Sequence, residues 1–426
     1  MSHSVVARDA DEKLDVMRVS AFRWLWAANG FRDSASEVAA FALPITAAVL
    51  LNAGPLMMSL IFAASRTGYL ILGLPAGVWV DWLPKRTVMI CADLAFAAAY
   101  GSIPPAYLLG VLSTAQLVVV ALVVSVASVF FEVAHTSVLP YILPKRAIAD
   151  ANARLQTSES AIQAVSPGIA GALTQAVAAP LFYLFAMLCH LCSVLLVSRI
   201  HPTDQATAPP QVRSFRSELA AGVRMLFKHE LLRLFLIQAT LINLGAGIML
   251  SQFPLFLLRD IGVHPWGFGL LSMIGALAGL LASLVAPRLR RQFGEVRMTL
   301  IFSALAPVAV LAAPLAGLLQ PLAIPFAALA EVLMGFVIVG RSVAAAGIRA
   351  RVTPNGYLGR VSAANSVVTQ SATLLGALIS GVVASIWTLP AALWLGVLVM
   401  TGAAVVLFVS PLAMHRRLPK EWEVQG

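Results

Sequence analysis

Twelve runs of mostly apolar residues, each about as long as a helix needs to cross a bilayer, constrain this sequence more than any other feature. A helix needs roughly 20 apolar residues to span the hydrocarbon core, so the chain reads as an all-α membrane protein. With Pro, Gly and charged residues as punctuation, the expected spans are 22–51, 56–80, 87–112, 114–138, 151–177 and 181–198, followed by 231–258, 267–287, 298–318, 321–345, 361–386 and 389–411. They divide into two six-helix bundles, 22–198 and 231–411, with a tail at 1–21, a linker at 199–230 and a second tail at 412–426. Composition agrees, with 60% hydrophobic and 11% charged residues, against roughly 45–50% and about 25% in soluble proteins.

The formal charge of +10 invites a nucleic-acid reading, but the basic residues sit in small groups between apolar runs. If the N-terminus is cytoplasmic, Lys85, Arg86, Lys145, Arg146, Arg199, Arg288, Arg290, Arg291, Arg297, Arg349, Arg351, Arg360, Arg416, Arg417 and Lys420 all share its side. The opposite loops offer only Arg259. Such asymmetry places both termini in the cytoplasm, in a multi-pass protein of the cell inner (plasma) membrane, expected as a monomer without a nucleic-acid partner. Residues before Phe22 contain no apolar segment of the kind that forms a cleaved leader.

Cys91, Cys189 and Cys192 lie in or beside apolar runs and read as packing residues. Cys189, His190 and Cys192 form a conceivable metal set, but the apolar setting favours packing, and no metal or cofactor is expected. No G-x-x-x-x-G-K-[ST] loop for ATP is present, and "HELLR" at 229–233 lacks the second histidine of H-E-x-x-H. The chain is therefore not expected to be an enzyme, and work against a gradient must draw on another ion gradient. In the linker, "PTDQATAPPQ" reads as flexible, whereas 214–228 places Phe215, Leu219 and Val223 opposite Arg216, Arg224 and Lys228, as a helix on the membrane surface or a solvated linker helix. "SPGIAG" at 166–171 and "GALISG" at 376–381 occupy matching positions in the two halves and point to a duplicated unit.

"GVWVDWLPKRTVMI", residues 77–90, sets Gly77, Asp81, Lys85 and Arg86 between the second and third spans. The stretch resembles the signature loop of the major facilitator superfamily, G-x-x-x-D-[RK]-x-G-[RK]-[RK], with Trp82 and Pro84 departing from it. "FRSELAAGVRMLFKHELLR" and "ADANARLQTSESAIQAVSPGIAGAL" are similar to the branch that contains the enterobactin exporter and related transmembrane secretion effectors. Ser166, Pro167, Gly168 and Gly171 resemble the antiporter motif of the fifth helix. The resemblance implies a major facilitator fold, export, and a loop that closes the cytoplasmic side as a conformational latch. The aspartate there can cap a helix N-terminus and accept hydrogen bonds from basic side chains.

Ionisable groups inside spans are costly when unpaired and are functional candidates by default. Asp33 and Glu37 lie four apart on one helix face, and Arg66 reaches similar depth, which makes these three candidates for proton coupling or a permanent ion pair. Arg32 projects about 100° from Asp33, towards headgroups or another helix. Glu132, His135, Arg154 and Glu159 form a candidate cytoplasmic gate or a helix-pairing group. Trp26, Asn29, Gln163, Asn243, Gln252, Glu331 and Gln370 are candidates for the wall of a substrate cavity between the halves. The expected function is secondary active transport, proton-coupled efflux of a small amphipathic molecule such as a drug, siderophore or secondary metabolite. The alternatives are proton-coupled nutrient uptake and a non-transporting receptor or assembly protein on the same scaffold.

Overall fold

The computed structural model describes residues 15–73, 75–200, 223–353 and 357–414. The first half contains α1 (Ser20–Ile45), α2 (Pro55–Leu72), α3 (Pro75–Trp82), α4 (Lys85–Gly101), α5 (Ile103–Leu108), α6 (Thr114–Ile142), α7 (Ile148–Leu173) and α8 (Phe182–Val197). The second contains α9 (Glu230–Leu255), α10 (Pro265–Phe293), α11 (Glu295–Leu318), α12 (Ala323–Val352), α13 (Leu358–Ile386) and α14 (Leu389–Phe408). Helix starts follow local chemistry. Proline occupies the first turn of α2, α10 and α14, where its missing N–H costs nothing, and the Ser113 and Thr388 hydroxyls cap α6 and α14.

Among the described residues eleven helical segments are long and apolar enough to cross a membrane. The helix expected as the fifth span, α7, is also long, but Asp150, Arg154 and Glu159 among Ser, Thr and Gln residues dilute its first half. Its place comes from packing: α7 lies against α1 and against α10 of the other half, as α13 lies against α9 and α2. The correspondence extends to every major contact. Pairs α1·α8, α2·α6, α4·α6 and α4·α8 recur as α9·α14, α10·α12, α11·α12 and α11·α14. Two departures from the expected spans are breaks. The second span is interrupted between α2 and α3, and the third ends at Gly101, with Pro104 and Pro105 inside the separate α5.

The repeat is sharpest where α1 and α9 end. Each carries a late proline, Pro44 or Pro254, and runs into a π turn, Thr46–Leu50 or Phe256–Asp260. A left-handed residue follows each, Asn52 at φ 50° and Gly262 at φ 74°, and then the proline that opens the next helix. Asparagine and glycine are the residue types that tolerate that conformation. The proline spacing from 44 to 55 and from 254 to 265 marks the duplication more clearly than the fifth-helix motif does.

Of the linker, 223–228 is helical. Leu226 is buried with Leu231, Leu232, Val296, Ile348, Val361 and Leu407 in a separate apolar cluster of the second half. The remaining linker residues, 201–222, and the tails at 1–14 and 415–426 lie outside the described residues, so Arg213, Arg216, Phe215, Leu219, Arg416, Arg417 and Lys420 do too.

Candidate transport site

Four helices of the first half bring ionisable side chains together. On α1, Arg32 pairs with Asp33 at 3.4 Å, with both side chains mostly buried, and its guanidinium lies over the Phe131 ring of α6 at 4.3 Å. Of the two expected courses Arg32 takes the one towards another helix, and its long side chain also bends back to Asp33, since either charge alone in an apolar span is costly. Arg66 on α2 lies instead over Phe62, one turn earlier, at 5.6 Å from the ring centroid. The ion pair to Asp33 is thus made by Arg32 and not by Arg66.

Glu37 stands one turn beyond Asp33, and Glu159 of α7 is near enough to both for their charges to interact. Gln156 and Gln163 donate to Glu159 at 3.2 Å each. Trp26 donates from Nε1 to Ser158 Oγ at 2.9 Å, which ties α1 to α7, and Asn29 is buried with its Oδ1 unpartnered among the described residues. From α2 and α6, the Tyr69 hydroxyl donates to Glu132, while His135 stacks on Phe131 and keeps Nε2 buried without a partner among the described residues.

The expected gate therefore divides. Glu132 and His135 join the central group and so does Glu159, but Arg154 pairs with Asp150 at 3.2 Å and with Asp15 of the N-terminal segment at 3.5 Å. Five residues of helix set Arg154 and Glu159 about 140° apart, on different faces. In the second half Glu331 packs against Gly275 of α10. Asn243 bonds to its own helix at Ala239 and accepts from Thr373 of α13 at 3.3 Å, and Gln370 is half-buried on α13.

Gln252 belongs elsewhere, to a seam between the halves. Its Nε2 donates to Ser59 Oγ at 2.6 Å and to the Pro55 carbonyl at 3.2 Å, both on α2. Arg259 donates twice to the Ala48 carbonyl, at 3.1 and 2.7 Å, and Phe41 stacks on Phe268. On either side of these bonds the fifth-helix motif and its repeat make backbone contact. A Cβ on Gly171 would lie 2.9 Å from Gly269 Cα and 3.1 Å from the Trp266 carbonyl. One on Gly381 would lie 2.6 Å from Ser59 Cβ and 3.2 Å from Leu56 Cα. Gly168 packs on Met273, and the Pro167 carbonyl lies against Gly269. The whole seam lies on the face that carries the turns before Pro55 and Pro265.

The signature loop occupies the opposite face. Gly77 and Asp81 are in α3, with the Asp81 side chain outside the described residues. Lys85 donates to the Val80 carbonyl at 2.6 Å, and Arg86 donates to the Ser198 carbonyl at the end of α8. Both basic side chains thus pin the loop to its own half. A Cβ on Gly77 would meet nothing within 4 Å.

One polar network escaped the sequence reading. Asp93 of α4 is fully buried, bonded to His190 Nδ1 at 2.9 Å and accepting from Ser193 Oγ at 2.7 Å, both on α8. His190 stacks on Phe96 at 4.5 Å. The signal was available, because an aspartate inside an apolar span is as conspicuous as Asp33. Cys189 is buried and Cys192 half-buried on the same helix, both as free thiols, while His190 turns its Nδ1 to the aspartate.

The profile of a family described as transmembrane secretion effector matches residues 13–423. No curated protein sequence matches significantly. Among solved structures, the nucleoside transporter NupG in a mutant form aligns with a TM-score of 0.76 at 13% identity, covering 91% of this chain and 99% of that one. A bacterial homologue of the iron transporter ferroportin in its inward-facing state gives 0.71 at 18% identity over 93% and 99%. The outward-facing state of that homologue gives 0.57, at 18% identity over 93% and 100%.

Proposed function

Because the chain belongs to the transmembrane secretion effector family of multi-pass transporters, we propose that it exports a small amphipathic molecule in exchange for protons by alternating access. The observation that carries this reading is the acidic group Asp33, Glu37 and Glu159, drawn from α1 and α7, with Arg32 as its ion-paired cation. Carboxylates held together at membrane depth need compensating positive charge, and a proton is the smallest carrier of it. Glu37, without a salt bridge among the described residues, is the group proposed to load and release that proton.

The two halves would rock about the site, with the fifth-helix glycines and their repeat sealing one face. If the basic residues lie in the cytoplasm, the sealed face is extracellular and the conformer is inward-facing, a reading supported by the higher similarity to an inward-facing than to an outward-facing transporter. The latch would be released in this state, a reading supported by the bonds of Lys85 and Arg86 to backbone carbonyls of their own half and by the open space beside Gly77. Asp81 would engage there when the cytoplasmic side closes. Arg32, Glu132, His135 and Tyr69 would position the acids, and Trp26, Asn29, Gln163, Asn243, Glu331 and Gln370 would line the substrate path.

The test is proton and substrate flux in proteoliposomes. Glu37→Gln should abolish transport driven by an imposed pH gradient while downhill substrate exchange persists. Retention of pH-driven accumulation by both Glu37→Gln and Asp33→Asn would remove this site from the coupling mechanism. Accumulation into, rather than out of, the cytoplasmic side would establish uptake instead.

A further inference from the structure

A groove of about 470 Å³ lies between the start of α9 and the end of α14, lined by Arg233, Leu234, Ile237, Val405, Val409 and Ser410. It opens away from the transport path. Ile242 and Ala246 face Ala306, Val310 and Met334 inside the second half, whereas Arg233 and Ile237, each about 140–180° from them around α9, are exposed. The groove sits where both spans reach the membrane boundary, since α9 begins at Glu230 and α14 ends at Phe408.

The corresponding place in the first half differs in chemistry. There, between α1 and α8, Arg199 lies over the Trp24 ring at 5.3 Å. Leu234 stands at the repeat position of Trp24, and the groove lining contains no aromatic ring to replace it. The repeated bundles thus differ here: an aromatic ring and an arginine stack in one, and a groove with a charged mouth opens in the other.

We propose that this groove binds an anionic phospholipid, with an acyl chain along Leu234, Ile237 and Val405 and the phosphate at Arg233. Charge complementarity selects that occupant. Arg233 is exposed, and its guanidinium makes no hydrogen bond or ion pair among the described residues. Arg224 and Lys228, also exposed, precede it within ten residues of chain, while Glu230 is the single acid of the lining. Basic pockets between membrane helices at the cytoplasmic level favour anionic headgroups, at about 1 kcal/mol per basic residue. The apolar remainder of the groove suits an acyl chain and offers nothing that would hold a soluble anion.

The experiment reconstitutes the full-length protein in nanodiscs of equal phosphatidylglycerol and phosphatidylcholine and counts, by native mass spectrometry, the lipids retained on release. The wild type should retain phosphatidylglycerol preferentially. Arg233→Gln should lower the ratio of the two lipids about fivefold, the factor that matches the loss of one basic contact. Ile237→Trp, which fills the groove, should lose both lipids, and Val409→Trp at the rim gives the same readout if Ile237→Trp does not fold. Equal retention of the two lipids by the wild type would overturn the proposal, as would a preference unchanged in Arg233→Gln. Lipid preference that appears only after truncation of residues 415–426 would make that segment the occupant and overturn it as well. Because binding is read without transport, either outcome leaves the direction and coupling of export to their own test.

Discussion

Gly171 packs on the α10 backbone across the seam between the halves, so, on the reading proposed above, giving it a methyl group should drive the protein towards its other conformation. The added Cβ would lie 2.9 Å from Gly269 Cα and 3.1 Å from the Trp266 carbonyl oxygen. Both obstacles are backbone, so no side chain can turn aside, and α7 and α10 must separate. Overpacking of this kind costs about 1–3 kcal/mol. The cost falls only on the conformer in which the helices touch, so Gly171→Ala should raise the ratio of open to sealed molecules roughly 5- to 150-fold.

Ser59→Cys reports the change. Ser59 is fully buried in the same seam, on α2, and becomes reachable from that face only when the halves part. In a background lacking Cys91, Cys189 and Cys192, the rate of labelling by a membrane-impermeant maleimide should rise in Gly171→Ala. Gly77→Ala supplies the contrast, because its Cβ meets nothing within 4 Å in this conformer and would obstruct only the alternative one. It should leave labelling unchanged or slow it. Folded Gly171→Ala protein with wild-type labelling, or acceleration by Gly77→Ala of the same size, would refute the assignment of these glycines to opposite conformers.

Other expectations follow from the remaining contacts. His190→Ala leaves the buried Asp93 carboxylate with Ser193 alone and should cost about 3–5 kcal/mol of stability, read as a lower midpoint of thermal unfolding in detergent. Ser193→Ala removes one bond to the same carboxylate and should cost about 1.5–3 kcal/mol, so an equal or larger loss from the serine would contradict the arrangement. Asp81→Asn should slow transport while substrate affinity, measured by equilibrium binding, stays close to wild type. A parallel loss of affinity and turnover would place Asp81 at the substrate and not in a latch.

The all-helical membrane fold and the order of its apolar spans were legible in the chain itself, although eleven and not twelve described helices are apolar enough to cross a membrane by themselves. Crossing a bilayer is a local requirement on about 20 consecutive residues, and every backbone group must be satisfied within the segment. Motif positions were legible as well: Gly77, Lys85 and Arg86 fall where α3 gives way to α4, and Gly171 and Gly381 hold equivalent places in the two halves. Partnerships were not. Helix periodicity told which residues share a face with Asp33, but the rotamer of Arg32 and the approach of α7 decided that Arg32 pairs with it, that the Glu159 charge acts on it, and that Arg66 makes no ion pair with it among the described residues. The same limit separates Arg154 from the other gate residues, places Gln252 in a seam between the halves, and leaves the partners of Asp93, itself conspicuous in its apolar span, unknown until α8 brings His190 and Ser193 to it. Sequence sets what each helix can bury and where it must end; which buried charges meet is fixed only when helices far apart in the chain are packed side by side, because the energy of an ion pair or a glycine contact depends on a few ångströms across that packing.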